Sequence, residues 1–155
     1  MTKTVKIAYI GGGSRGWARI LIHDLALHPE LNGEVFLYDT NYKAAQLNAD
    51  YGKWIQGHPD NKAKWKYTAA KNPDTALRGA DFVLMALLPG SFDEMEADIA
   101  IPAKYGIYHS VGDTVGPAGL VRSLRSVPIF KFYAHKIMQF CPKAWVINFT
   151  NPMAV

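Results

Sequence analysis

Val5-Lys6-Ile7-Ala8-Tyr9-Ile10-Gly11-Gly12-Gly13-Ser14-Arg15-Gly16 is a short β-branched run that stops on a glycine turn. The run reads as a buried strand. From Ser14 onward apolar residues recur at Trp17, Ile20, Leu21 and Leu25, the spacing of one helix face, until His28-Pro29 stops the pattern. Glu34-Val35-Phe36-Leu37-Tyr38-Asp39 is a second strand. The turn between first strand and helix has the form G-x-G-x-x-G. In that form Gly11 permits the tight turn, Gly13 lets the backbone approach a pyrophosphate, and Gly16 allows close helix–strand packing. The helix start offers free N–H groups and a positive dipole end to the phosphates, and Ser14 and Arg15 stand where they can add direct contacts. Asp39 closes the second strand 23 residues after Gly16, near the separation of about 20 expected of a ribose-binding acid. A carboxylate there accepts from the ribose 2′- and 3′-hydroxyls and repels a 2′-phosphate. The ligand read from this stretch is therefore NAD rather than NADP.

Strand and helix keep alternating beyond Asp39. Asn41 caps a helical run through Ala45, Leu47, Asn48 and Tyr51 to about Ile55. Gly57-His58-Pro59-Asp60-Asn61 is turn chemistry, residues 65–69 form a third strand, and residues 74–78 make at most a short helix. Phe82-Val83-Leu84-Met85-Ala86-Leu87-Leu88 is nearly continuous apolar sequence, as expected of a central parallel strand covered on both faces. A helix over 92–105 ends near Pro102, residues 106–119 read as a glycine-rich loop, and residues 120–140 return to helix with a bend at Pro128. Ala144-Trp145-Val146-Ile147-Asn148-Phe149 is the last strand. This order predicts an α/β fold: a Rossmann-type, doubly wound parallel sheet with helices on both faces. Residues 1–155 read as one NAD-binding domain, and a strand so close to Val155 suggests that the fold was not meant to stop there.

The totals exclude several classes. A chain of 155 residues, 49% hydrophobic and 19% charged, has the profile of an ordinary globular domain. Its +4 formal charge is scattered rather than clustered, which argues against nucleic acid. No apolar stretch reaches the roughly 18 residues of a membrane span. Met1-Thr2-Lys3 leads straight into the first strand without a leader, and Cys141 is the single cysteine. A reducing cytoplasm is the expected compartment.

Four later segments have no job in a generic nucleotide-binding domain. They are Ile101-Pro102-Ala103-Lys104-Tyr105-Gly106, Val111-Gly112-Asp113-Thr114-Val115-Gly116-Pro117-Ala118-Gly119, Leu124-Arg125-Ser126-Val127-Pro128, and Ala144 through Asn148-Phe149-Thr150-Asn151-Pro152. In this order behind the glycine motif, the chain resembles the N-terminal portion of glycoside hydrolase family 4. The resemblance implies redox-elimination chemistry rather than the usual two-carboxylate scheme. NAD oxidises the sugar C3 hydroxyl, a base takes the acidified C2 proton, the glycosidic oxygen leaves, water adds, and the hydride returns. A divalent metal, typically Mn2+, polarises the C2 and C3 oxygens. The family's metal cysteine and histidine and its base all fall beyond Val155, as does its catalytic C-terminal domain. The resemblance thus implies no metal ligand in this chain, NAD binding without turnover by these residues alone, and a homo-oligomeric full-length protein.

Within the family, Asp113-Thr114-Val115-Gly116-Pro117-Ala118-Gly119 looks like the α-galacturonidase and α-galactosidase branch. The phospho-glycosidases show a Glu-Thr-x-Gly-Pro-Gly-Gly form there and an arginine on the preceding helix. Here that helix reads Phe92-Asp93-Glu94-Met95-Glu96-Ala97-Asp98, acidic and without arginine, which disfavours a phosphorylated sugar. Leu88-Pro89-Gly90-Ser91-Phe92, with Lys104-Tyr105-Gly106-Ile107-Tyr108-His109, looks within the branch most like the α-galacturonidases. By resemblance Asn151 sits between nicotinamide and substrate hydroxyls, and Asp113 lies close to the sugar. Arg122 and Arg125, three apart on one helix face, read for at least one of them as a surface pair with nearby carboxylates rather than a substrate clamp, and either is a candidate cation for a uronate. The five histidines lack ligand spacing, although His109 lies in the loop region; Cys141 reads as a buried structural thiol. Tyr51, Trp54 and Trp65 read as packing rather than sugar platforms. Two other functions share this architecture. A 2-hydroxy-acid dehydrogenase would release NADH stoichiometrically, and a non-catalytic NAD-binding module would need neither metal nor sugar.

Overall fold

The computed structural model describes residues 3–109 and 115–151. Five strands are present: β1 (Lys3–Ile10), β2 (Leu31–Tyr38), β3 (Trp65–Ala70), β4 (Phe82–Met85) and β5 (Trp145–Asn148). They alternate with α1 (Trp17–Leu27), α2 (Tyr42–Gln56), α3 (Pro73–Leu77), α4 (Phe92–Ala103) and α5 (Gly116–Phe140). Every pairing is parallel, in the order β3-β2-β1-β4-β5. This is the Rossmann-type doubly wound order, and the direction of travel reverses between β1 and β4. Right-handed crossovers put α1 and α2, which carry the chain from β1 towards β3, on one face; α3 returns across the other. Both faces of β1 are accordingly sealed, with Ile7, Ala8, Tyr9 and Ile10 all buried.

Residues fall into two compact units. The first comprises 3–86 with 136–148, the second 87–109, 115–135 and 149–151. The core of the first unit sets Val5, Ile7, Tyr9, Val35 and Leu37 of the sheet against Ala18, Ile22 and Leu25 of α1 and Ala45 and Ala49 of α2. At Gly52 the tyrosine ring of β3 leaves no room for a side chain: a Cβ would lie 2.4 Å from Tyr67 Cγ. Burial pushes the Tyr9 phenol up to about 12 and raises that of Tyr67. Trp65 is buried and donates from Nε1 to the Leu25 carbonyl at 3.1 Å, so it packs as expected. Trp54 is exposed and stacks on Tyr51.

Several boundaries differ from the sequence reading. The buried face of α1 is Ala18, Ile22, Leu25 and Ala26, whereas Trp17 and Ile20 are 58% and 53% exposed. Small alanines pack closer to a sheet than large side chains do, and periodicity weighted towards large residues rotated the face. The strand at 82–88 ends at Met85. The stretch 106–119 is not loop throughout, because α5 already begins at Gly116. Gly116 takes a positive φ of 72° at the entry, and Pro117 follows in the first turn, where a missing N–H breaks no helical bond. α5 then runs through Pro128 as continuous helix. Among the described residues no helix is long and apolar enough to cross a membrane.

Candidate functional site

In the first unit the site is built where β1 ends. Gly11 has φ +93° and carries the turn out of the strand. The amides of Gly11 and Gly12 both donate to the Tyr38 carbonyl, at 2.9 and 2.8 Å, which binds the turn to the end of β2. Asp39 follows immediately. Its Oδ2 accepts from the Gly13 amide at 2.9 Å and its Oδ1 from the Asn41 amide at 2.8 Å. A Cβ on Gly13 would lie 2.7 Å from that Oδ2, so only glycine lets the turn and the acid come this close. The carboxylate keeps acceptor capacity for two further donors.

Ser14 and Gly16 do other work than their places in the motif suggest. Ser14 Oγ accepts from the Trp17 amide at 3.2 Å, closing the first turn of α1. A Cβ on Gly16 would meet nothing within 4 Å, so Gly16 is not the close-packing glycine. That role belongs to Gly12, whose added Cβ would lie 2.8 Å from Leu37 Cβ and 2.9 Å from its Cα. Backbone atoms cannot rotate away. Gly12→Ala is therefore expected to destabilise by about 1–3 kcal/mol, while Gly16→Ala stays within about 0.5 kcal/mol. Urea unfolding of the two variants measures the contrast. Arg15 is exposed beside the turn.

Asn48 was legible only as one position on a helical stripe. It is 1% exposed and donates from Nδ2 to the carbonyls of Gly12 (2.8 Å) and Ser14 (2.9 Å). Its neighbours on the buried face of α2 are Ala45, Ala49 and Gly52. An amide among alanines and glycines is the signal that could have marked it.

The second unit holds the other resemblance-derived residues. Thr150 is buried, and its Oγ1 accepts from the Leu87 amide at 3.0 Å, clipping together the two segments that leave β4 and β5. Asn151 is exposed, with its carbonyl held by Arg122 Nη2 at 3.1 Å. Arg122 is buried rather than superficial, and that burial lowers its guanidinium from the usual value. Arg125 is half-buried, and it does meet a carboxylate as expected of one of the pair. It forms a two-point pair with Asp98 (Nη2–Oδ2 2.6 Å, Nη1–Oδ1 3.2 Å) and donates from Nε to the Pro89 carbonyl at 2.8 Å. The hydrogen bond to Asp98 raises Arg125 above its ordinary value. Gly90 makes room for it: a Cβ there would meet Arg125 Nε at 2.7 Å.

These contacts alter the reading of the acidic helix α4. Asp98 is neutralised by Arg125, and Glu94 is tied into a capping box with Ser91, which holds its carboxyl below the usual range. Asp93, Glu94 and Glu96 are its exposed acids. Asp113 lies outside the described residues. Cys141 is a buried free thiol whose pKa burial raises, in keeping with a structural role. Among the described residues no group of three or more His, Cys, Asp or Glu stands close enough to hold a metal ion.

Residues 6–155 match the model of family 4 glycosyl hydrolases. The chain belongs to this family. It is 52% identical over 151 residues to an α-galacturonidase of Lachnoclostridium phytofermentans, a match taking in 97% of this chain and 32% of that protein. A solved structure of a putative glucosidase, lplD, from Bacillus subtilis superposes with a TM-score of 0.88 at 50% identity, over 98% of this chain and 34% of that one. The 6-phospho-β-glucosidase of Thermotoga maritima, solved with manganese, NAD+ and glucose-6-phosphate, gives a TM-score of 0.79 at 28% identity, over 96% of this chain and 35% of that one. This family 4 chain thus spans about a third of the length of the relatives it matches.

Proposed function

We propose that this chain is the NAD-binding N-terminal part of a family 4 glycosidase acting on α-galacturonides. The observation that carries the NAD reading is the Asp39–Gly13 contact of 2.9 Å. It sets a ribose acceptor beside a glycine turn at the start of a helix, and one dinucleotide can span both. Asp39 accepts from the ribose hydroxyls and repels a 2′-phosphate. Gly11 and Gly13 bring the backbone to the pyrophosphate, beside Ser14, Arg15 and Gly16. Bound NAD supplies a hydride acceptor that is restored within each turnover. The exposed Asn151 side chain, on a backbone held by Arg122, is placed by resemblance against nicotinamide and sugar, and Asp113 by resemblance against the sugar. Both compact units belong, on this reading, to one dinucleotide-binding domain.

The substrate assignment rests on the α-galacturonidase relative at 52% identity. It is supported by α4, which has no arginine or lysine for a phosphate. The described residues offer no cluster that fits a divalent metal; by resemblance the Mn2+ ligands lie beyond Val155. We assign the full-length protein to the cytoplasm and to a homo-oligomeric state. Titration calorimetry of the chain should show NAD binding at least about tenfold tighter than NADP, and equal affinity sinks the Asp39 assignment. The full-length enzyme should cleave α-galacturonides with catalytic NAD and no net NADH, and the 155-residue chain alone should not. Stoichiometric NADH release with a 2-hydroxy acid would move the protein to the dehydrogenases.

A further inference from the structure

The glycine turn is held from below by a side chain that no motif includes. Asn48 sits on α2, 36 residues beyond Gly12, and its amide nitrogen reaches two carbonyls of the turn, those of Gly12 (2.8 Å) and Ser14 (2.9 Å). Its Oδ1 accepts from Arg19 Nε of α1 at 3.1 Å. Two carbonyl acceptors on one side and a guanidinium donor on the other allow a single orientation of the amide. Arg19 is steadied in turn over the Tyr51 ring, 5.3 Å from its centroid. All polar atoms of the Asn48 side chain are thus engaged in a position that is 1% exposed.

Peptide geometry gives this arrangement a consequence. In a trans peptide the C=O and the following N–H point in opposite directions. Pinning the Gly12 carbonyl to Asn48 therefore aims the Gly13 N–H away from Asn48, and that N–H meets Asp39 Oδ2 at 2.9 Å. Pinning the Ser14 carbonyl likewise aims the Arg15 N–H away from Asn48. No hydrogen bond among the described residues takes up the Arg15 amide.

We infer that Asn48 is the positioning residue of the phosphate turn, fixing the carbonyls of Gly12 and Ser14 inward so that the Arg15 amide faces outward to a pyrophosphate. The inference rests on the NAD reading and adds to it a dependence of pyrophosphate affinity on α2 and Arg19. Asn48 touches no part of the ligand itself. Aspartate at this position keeps the size and the acceptor for Arg19 but cannot donate to either carbonyl.

The test compares two probes by calorimetry or NMR titration of the full chain: ADP-ribose, which carries the pyrophosphate, and adenosine, which presents only base and ribose. Asn48→Asp is expected to weaken ADP-ribose by about tenfold or more, with adenosine changed by less than about twofold. Equal weakening of both probes means a general structural role and overturns the inference; so does unchanged ADP-ribose binding. If Asn48→Asp does not fold, Arg19→Leu decides, since it removes only the outer anchor. A loss of about threefold in ADP-ribose affinity supports the inference, and wild-type affinity overturns it. Failure of the wild-type chain to bind ADP-ribose at all would instead strike the NAD reading, and the inference would fall with it.

Discussion

Asp39→Ala is expected to raise the Kd for NAD by about 100-fold, roughly 2.7 kcal/mol. Hydrogen bonds to an ionised carboxylate contribute about 1.5–3 kcal/mol each, and this carboxylate serves more than the ribose. Its two oxygens accept from the amides of Gly13 and Asn41, which together fix the end of the glycine turn and the entry to α2. Removing it unfastens both before any ligand arrives. Asp39→Asn separates the contributions. It retains one acceptor oxygen but turns an NH2 group towards a backbone donor, and it removes the charge that repels a 2′-phosphate. Its NAD affinity should fall between those of wild type and Asp39→Ala, and its discrimination against NADP should shrink most. Calorimetric titration of both dinucleotides against the three proteins reads this directly; an Asp39→Ala chain with unaltered NAD affinity would remove the acid from the site.

The sheet was legible because its signals are local. β1, β2 and β4 are runs of apolar residues between turn signals, and a parallel sheet buries such runs on both faces. The cap at Asn41 was equally plain, because an N-cap is a contact within three residues, here Asn41 Oδ1 accepting from the Ala44 amide at 3.2 Å. Contacts across the sequence were not legible. Gly12 occupies a variable place in the G-x-G-x-x-G pattern, yet it is the glycine that Leu37 forbids to carry a side chain. Gly16 occupies an invariant place and faces open space. Which glycine is sterically required depends on where β2 passes, and the motif carries no information about that. Asn48 illustrates the same limit, since its partners lie 34 and 36 residues away.

Charge was the least legible quantity. The acidic count of α4 was read as a field repelling phosphate, but a carboxylate counts towards a field only when it is unpaired. Asp98 is paired with Arg125, 27 residues away, whereas Glu94 is folded back onto the neutral Ser91 and keeps its charge. What separates α4 from a phosphate-reading helix is therefore its want of a cation together with the exposed acids Asp93, Glu94 and Glu96. The same pairing counts against Arg125 as a uronate clamp, because its charge is already met by Asp98 and three of its five N–H donors are engaged with Asp98 and Pro89.

That pairing also sets the largest stability effect expected in the second unit. Asp98 is 2% exposed, and Arg125→Met would remove its two-point partner from a buried carboxylate, leaving only the coulombic attraction of Arg122. Breaking a buried ion pair from one side typically costs about 3–5 kcal/mol. In a chain of this size that corresponds to a Tm lower by about 10 °C or more. The variant also releases the Pro89 carbonyl, so the turn at Gly90 loses its anchor together with the charge. Replacing both partners, as in Asp98→Leu with Arg125→Met, removes the stranded charge and should recover much of the loss. The double-mutant cycle by thermal unfolding is decisive, because an ordinary loss of packing would make the double variant worse than either single one. Near-additive losses would mean that the Asp98–Arg125 contact is incidental; a double variant more stable than Arg125→Met alone means that the arginine is held in the second unit to neutralise Asp98 and fasten Pro89.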